Sequence, residues 1–265
     1  MSGAGVFRNV TLEPMADACA HQLTQETQTW LDSLTGMRLF QPLEQIAGSS
    51  KSIVWKGRIA GSAQQVVIKR YLEKRLYQAE VEGYLVFRGG PIARILHHDA
   101  TLHAVVLSHV PGRSAQATRR DLDRIIQAYA LMHQAAVSNL TVARASEAFE
   151  PDSCCCAKAG SGLERHPVSV GDVKPEHIII SLEGVRIIDL ETWSLQRTVW
   201  FDVMSAANFI LPHMKCAPDL AWIVQRYCHY RGCSIDEYDF RKIHRCYQAV
   251  QALSPHRDYV ERAIQ

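Results

Sequence analysis

Val170-Gly171-Asp172-Val173-Lys174-Pro175-Glu176-His177, followed by Ile187-Ile188-Asp189-Leu190-Glu191, is the stretch on which the reading of this chain turns. Asp172 sits in a polar loop with a proline, and a possible metal ligand, His177, follows five positions later. Asp189 then ends an apolar run, 17 residues after Asp172. Two acceptor groups held by short strands suit a Mg²⁺ bound to phosphates, because that cation takes oxygen ligands and keeps water and substrate in its shell. The first Asp, left off the metal, is free to take a proton from an attacking hydroxyl. A β-hairpin with solvated charges is the plainer alternative, and two carboxylates at this spacing make it the weaker one.

Upstream, Val66-Val67-Ile68-Lys69 places a lysine at the end of an apolar run, which is unusual unless its charge has a partner. The next helical stretch offers Glu80 and Glu82. Glu80 shares a stripe with Leu76, Tyr84 and Phe87, so it is preferred over Glu82 as the residue facing the sheet. Gly48-Ser49-Ser50-Lys51-Ser52 lies between strands, one hairpin before Lys69. Its backbone N–H groups and small hydroxyls can approach phosphate oxygens, although such a run is also a common hairpin turn.

These segments together resemble the protein-kinase-like superfamily, and within it the aminoglycoside phosphotransferase family of small-molecule kinases. The family's loop reads HGDxxxxN, with a later IDxG or IDWE segment. The resemblance implies a two-lobed α+β fold, with an antiparallel-sheet N-lobe and a mainly helical C-lobe. It also implies ATP and Mg²⁺ (or Mn²⁺) as cofactors. Asp172 would be catalytic, and Lys174, as in the DLKPEN loop of protein kinases, would contact the transferring phosphate. His177 and Asp189 would bind the metal, Lys69 held by Glu80 would position the phosphates, and Ser49, Ser50 and Ser52 would form the phosphate loop. The backbone of Ser108 to Val110 would form the adenine-binding hinge.

His133 would be structural, and Asp202 would brace the catalytic loop. Val170 stands where the family has His, and His177 where it has Asn. Macrolide kinases and lipopolysaccharide-core kinases resemble this chain in having His at the second of these positions. The acceptor implied is a hydroxyl of a small molecule: an antibiotic, a sugar, a nucleoside or another natural product. A lipopolysaccharide-core sugar kinase and a catalytically silent pseudokinase are the alternatives.

Composition narrows the field from another side. The chain has 265 residues, of which 47% are hydrophobic and 21% charged, which excludes a disordered polypeptide. Its net charge of +2 does not point to nucleic acid. No apolar stretch approaches the roughly 20 residues of a membrane helix, so no integral membrane association is expected. Residues 1–12 lack a basic flank followed by an apolar core, so no secretory signal is expected either. The eight cysteines include the consecutive Cys154, Cys155 and Cys156, a spacing that favours reduced thiols and a cytoplasmic protein over a disulfide scaffold. After Asp202 there are six acidic and eight basic residues, a balance that does not favour a polycationic acceptor, and a neutral or anionic sugar, nucleoside or natural product fits at least as well.

Periodicity predicts a helix over 13–35, strands over 52–60 and 64–71, a helix over 72–87, and strands over 92–97 and 102–110. A helix over 116–137 follows, then a polar loop over 139–168, short apolar runs over 177–182 and 185–190, and helices near 200–213, 218–231 and 236–253. Joined to the resemblance, this divides the chain into a helical extension (1–39), an N-lobe (40–107), a hinge (108–112) and a C-lobe (113–265).

Overall fold

Residues alternate along Gln65–Tyr71, and the alternation decides what each face of the sheet meets. Val66 and Ile68 point to one side, into a small core with Ile53, Trp55, Ala104 and Val106. Val67, Lys69 and Tyr71 point to the other, because successive side chains of a strand leave on opposite faces. Tyr71, Val105 and Leu107 there join the main core of the protein.

The computed structural model describes residues 25, 29, 40–59, 61–143, 168–195, 197–235 and 240–253. The expected helix over 13–35 falls outside them, except that Gln25 and Thr29 are helical. Cys154–Cys156 and most of the expected 139–168 loop lie outside them as well.

The protein is α+β. Its main sheet comprises β1 (Phe40–Gly48), β2 (Ser52–Ile59), β3 (Gln65–Tyr71), β4 (Ile95–Asp99) and β5 (Ala104–Ser108), ordered β1-β2-β3-β5-β4 and antiparallel throughout. Between β3 and β4 the chain forms helix α1 (Lys74–Val86), whose Leu76, Tyr77, Glu80, Gly83 and Tyr84 recur at helical spacing and are buried. A methyl group on Gly83 would lie 2.7 Å from Leu190 Cβ, so the absent side chain is what lets α1 approach the Asp189–Glu191 segment.

A three-stranded sheet of β6 (Arg113–Ser114), β7 (Ile178–Ile180) and β8 (Val185–Ile187) carries the loop from Val170 to His177. The run expected as a strand over 92–97 is divided. Ile92 bridges to Ile187, and the Ile187 amide donates to the Pro91 carbonyl at 2.8 Å, so the strand of the main sheet starts only at Ile95.

The remaining described elements are helices. In α2 (Arg119–Ala143), Leu122, Ile125, Ile126, Tyr129, Met132 and Ala136 form the buried stripe that the sequence pattern requires. Helix α3 (Val199–Ile210) is apolar nearly all round and correspondingly buried, with Thr198 capping the Trp200 amide. Helices α4 (Leu220–Arg231) and α5 (Phe240–Leu253) complete the set, α4 packing on α2 and α5 on α3. Asp219 caps α4 at the Trp222 amide, at 2.8 Å. Such caps contribute about 1 kcal/mol each. No helix among the described residues is long and apolar enough to cross a membrane.

Candidate active site

Lys69 is delivered by β3 to the face of the sheet that meets α1 and the segment after β8. Its Nζ donates to Asp189 Oδ1 at 2.6 Å and to Glu191 Oε2 at 3.1 Å, and lies 4.0 Å from Glu80 Oε2. Burial works against its charge, but Glu80, Asp189 and Glu191 outweigh that and hold its pKa well above the ordinary lysine value. Glu80 is fully buried. Burial, opposed by Lys69 and reinforced by the other two carboxylates, pushes its pKa up to about 7. Its Oε2 accepts from the Leu190 amide at 2.9 Å, and the Trp193 indole N–H donates to the Ala79 carbonyl at 2.9 Å. These two bonds pin α1 to the segment that carries Asp189. Glu82 is exposed.

Asp189 has a φ of 66°. Aspartate tolerates this left-handed conformation better than most side chains do. Its Oδ2 lies 3.1 Å from His177 Nε2 while Oδ1 holds Lys69. Burial raises the Asp189 pKa, but Lys69 and His177 lower it by more, so the carboxyl stays ionised.

The other nitrogen of His177, Nδ1, lies 2.9 Å from the Asp172 carbonyl oxygen, which can only accept, so Nδ1 carries a hydrogen. In neutral imidazole the Nε2 lone pair then faces a carboxylate oxygen, and a cation between the two satisfies both. The 3.1 Å gap is close to the separation of neighbouring ligands on an octahedral cation with bonds of about 2.1 Å. The residues present therefore fit a small divalent cation. Oxygens of Glu80, Asp189 and Glu191 also lie within 4.8 Å of one another, although Lys69 already neutralises part of that charge.

Asp172 is half-exposed, and Lys174 Nζ lies 2.5 Å from its Oδ2. The lysine pKa is lowered by partial burial and raised by more through Asp172, so the ammonium stays charged. Asp172 is positioned from behind by its backbone. Its amide donates to Thr192 Oγ1 at 2.7 Å, and the Thr192 hydroxyl donates to the Val170 carbonyl at 3.2 Å. Gly171, at φ 100°, lies where a methyl group would come within 2.4 Å of the Thr192 carbonyl oxygen.

Beneath this loop, the fully buried Asp202 accepts from the amides of Val170 (2.7 Å) and Gly171 (3.1 Å), from the Ser169 hydroxyl (2.7 Å), and from His133 Nε2 (2.9 Å). Burial lowers the His133 pKa, against the pull of Asp202, so the ring is neutral. Nε2 then carries the hydrogen, and Nδ1 accepts from the Tyr227 hydroxyl at 2.9 Å.

The Gly48–Ser52 run forms the β1–β2 turn. Ser49 shapes it: its Oγ accepts from the amides of Lys51 (3.1 Å) and Ser52 (3.2 Å). The Leu72 amide binds the Lys51 carbonyl at 2.9 Å, and Lys51 Nζ lies 3.9 Å from Glu191 Oε1. Ser50 is exposed, and Ser52 is buried at the start of β2. In the 108–110 segment, the Ser108 amide donates to the Arg94 carbonyl and the His109 amide to the Gln65 carbonyl. Among the described residues only the Val110 amide of these three is left for a ligand. The half-buried Val54 stands opposite Lys69 across β2–β3 and shares its face with Val67. These two offer apolar cover for a planar ring.

The chain therefore brings Lys69, Glu80, His177 and Asp189 into one cluster, with Asp172 and Lys174 joined to it through the His177–Asp172 bond. Glu191 and Thr192 also belong to the site, Glu191 through Lys69 and Thr192 through the Asp172 amide, and no sequence pattern marks Thr192. Glu191 follows Asp189 by two positions, and that proximity is its one signal in the sequence. Compared with known proteins, the chain matches no family model and no curated protein.

Proposed function

We propose that the protein is an ATP-dependent phosphotransferase of two-lobed, protein-kinase-like arrangement, acting on a hydroxyl of a small molecule. The observation that carries this reading is the meeting of Lys69, from the five-stranded sheet, with Asp189 at 2.6 Å, beside a loop that holds Asp172 half-exposed. A buried cation surrounded by more carboxylates than it can neutralise is suited to exchange those carboxylates for phosphates and a divalent metal. The resemblance of the motifs to aminoglycoside phosphotransferases supports the same assignment.

In this reading Lys69 holds the α and β phosphates, released in part from Asp189, and Glu80 orients the lysine from behind. His177 Nε2 and Asp189 Oδ2 would hold a Mg²⁺, which would supply positive charge to offset that of the phosphates. Asp172 takes the proton of the acceptor hydroxyl as that oxygen bonds to the γ phosphorus, and the bond to the ADP oxygen breaks. Lys174, already on Asp172, supplies positive charge to the phosphoryl group in transit. The Val110 amide and the faces of Val54 and Val67 receive the adenine. The surplus of basic over acidic residues after Asp202 favours a neutral or anionic acceptor, a sugar or nucleoside before an aminoglycoside.

A second reading, nucleotide binding without turnover, is favoured by one observation. Lys69 is nearer to Asp189 and Glu191 than to Glu80, which is a self-neutralised arrangement. ADP formation with and without Mg²⁺, across a panel of hydroxyl acceptors, separates the two. Metal-dependent turnover with at least one acceptor class is the expected result. Nucleotide binding with no turnover across the panel would favour the scaffold.

A further inference from the structure

A cavity of about 1020 Å³ opens beside the Ser108–Gly112 segment, and none of Lys69, Asp172, His177 or Asp189 lines it. Its lining is unusual in charge: Arg94, Arg113, Arg120, Arg124 and Arg186 face it, with Glu183 as the acidic residue among them. The five come from four separate places: the approach to β4, β6, the first turns of α2, and β8. Two of them are accounted for. Arg113 makes a bidentate pair with Asp121, at 2.6 and 3.0 Å, and an Arg124 guanidinium nitrogen donates to the Ser181 carbonyl at 2.6 Å. Arg186 has Glu183 at 3.9 Å, and that carboxylate is 85% exposed and correspondingly weak as a partner. The side chains of Arg94 and Arg120 have no hydrogen-bond or ion-pair partner among the described residues. Among the described residues, five guanidinium groups against two carboxylates, Glu183 and Asp121, leave three positive charges in excess.

Helix physics makes that excess costly. Arg120 and Arg124 stand one turn apart on α2, a like-charge pairing that weakens a helix. Arg120 lies in the first turn, where the helix dipole disfavours cations. Arg119, beside them, is satisfied by the Trp222 ring at 4.6 Å, whereas Arg120 has no such contact among the described residues. Ile92, Pro111 and the side chain of Val110 supply apolar wall between the arginines; Val110, whose backbone amide is assigned to the adenine, is the residue this cavity shares with the proposed nucleotide site. The volume matches that of sites for small organic ligands.

We propose that this cavity binds a phosphate-bearing small molecule with an apolar body, at a site separate from the Lys69–Asp189 cluster. The guanidinium forks suit phosphate oxygens, and a dianionic group removes most of the excess charge that the fold otherwise carries. The inference does not depend on the phosphotransferase reading.

Calorimetric titration with tripolyphosphate at low salt tests it on three proteins: the wild type, Arg94→Ala/Arg120→Ala, and Lys69→Ala. The side chains of Arg94 and Arg120 are exposed and make no bonds among the described residues, and the backbone bonds of Arg94 to Ser108 do not depend on the side chain, so the double variant should keep its fold, as circular dichroism will show. Arg94→Gln/Arg120→Gln, which keeps the bulk, is the second pair. Removing two charged donors should weaken binding at least about tenfold and flatten its salt dependence, while Lys69→Ala retains the binding. Naphthyl phosphate should bind the wild type more tightly than inorganic phosphate does. Binding unchanged in both double variants, binding lost in Lys69→Ala alone, or no preference for the naphthyl ester would each overturn the proposal.

Discussion

Lys69 Nζ and Asp189 Oδ1 lie 2.6 Å apart although 120 residues separate them in the chain. The contact joins the five-stranded sheet to the segment after β8, and Glu191 and Glu80 surround it. Its chemistry is that of a buried ammonium held by more negative charge than it needs. Ligand exchange at this point is what the proposed activity requires.

Lys69→Ala removes the cation and leaves three carboxylates facing one another. We expect nucleotide affinity to fall by at least about tenfold, the loss of one charge-assisted contact. Titration of a fluorescent nucleotide into the folded variant reads this out. Wild-type affinity would count against the phosphate-holding role.

Glu80 predicts a pH effect on stability whose sign is fixed. Its pKa in the folded protein is pushed up to about 7, above that of the unfolded chain, so the native state binds the extra proton. Stability contributed by Glu80 should therefore be greatest below about pH 4.5 and be lost as pH rises towards 7. His133, whose pKa is lowered, acts oppositely as pH falls below 6.5. The difference between wild type and Glu80→Gln isolates the first effect. Denaturant midpoints should move apart in the variant's favour as pH rises from 5 to about 7.5. Parallel midpoints would show that Glu80 is not forced towards neutrality.

Gly171→Ala tests the support of the loop that carries Asp172. The new methyl group meets the Thr192 carbonyl oxygen at 2.4 Å on a backbone whose φ is 100°. Thr192 is also the partner of the Asp172 amide. Turnover should fall by at least about tenfold and stability by about 1–3 kcal/mol, with nucleotide affinity within a few-fold of wild type. Unchanged turnover would mean that the loop tolerates displacement and that Asp172 needs no such positioning.

His177 should behave as a metal ligand. His177→Ala should lose metal-dependent activity, whereas His177→Asn should retain it and shift the preference towards Mg²⁺ over Mn²⁺, since an amide oxygen replaces a nitrogen ligand. Activity measured against each metal separates the cases. A fully active His177→Ala protein with unchanged metal dependence would remove His177 from the site.

Much of this arrangement can be read in the sequence. The apolar run before Lys69 shows a strand, and its period of two places the lysine opposite Ile68, the core-facing residue. The helical stripe through Leu76 and Tyr84 selects Glu80 over Glu82. What cannot be read is the partner order around Lys69. Asp189 and Glu191 reach it because Gly83 lets α1 approach Leu190 and because Asp189 adopts a left-handed backbone, and neither leaves a periodic trace. Strand limits leave no clear trace either: Ile92 looks like the start of β4 but pairs with Ile187, a choice made by tertiary contact. The arginines of the cavity are spread over nearly 100 positions, from Arg94 to Arg186, so only folding brings them together.

The most direct test of the central claim follows the γ-phosphoryl group itself. Wild type and Asp172→Asn are incubated with ATP labelled in the γ-phosphate, Mg²⁺ and a panel of sugars, nucleosides and hydroxylated natural products, and label on each acceptor is counted. The account predicts labelled product with at least one acceptor for the wild type. It also predicts a loss of about 10²–10⁴-fold in Asp172→Asn, whose nucleotide affinity should be unchanged, because the amide cannot take the hydroxyl proton. Transfer that persists at the wild-type rate in Asp172→Asn, or no transfer to any acceptor by a wild-type protein that binds ATP, would contradict it.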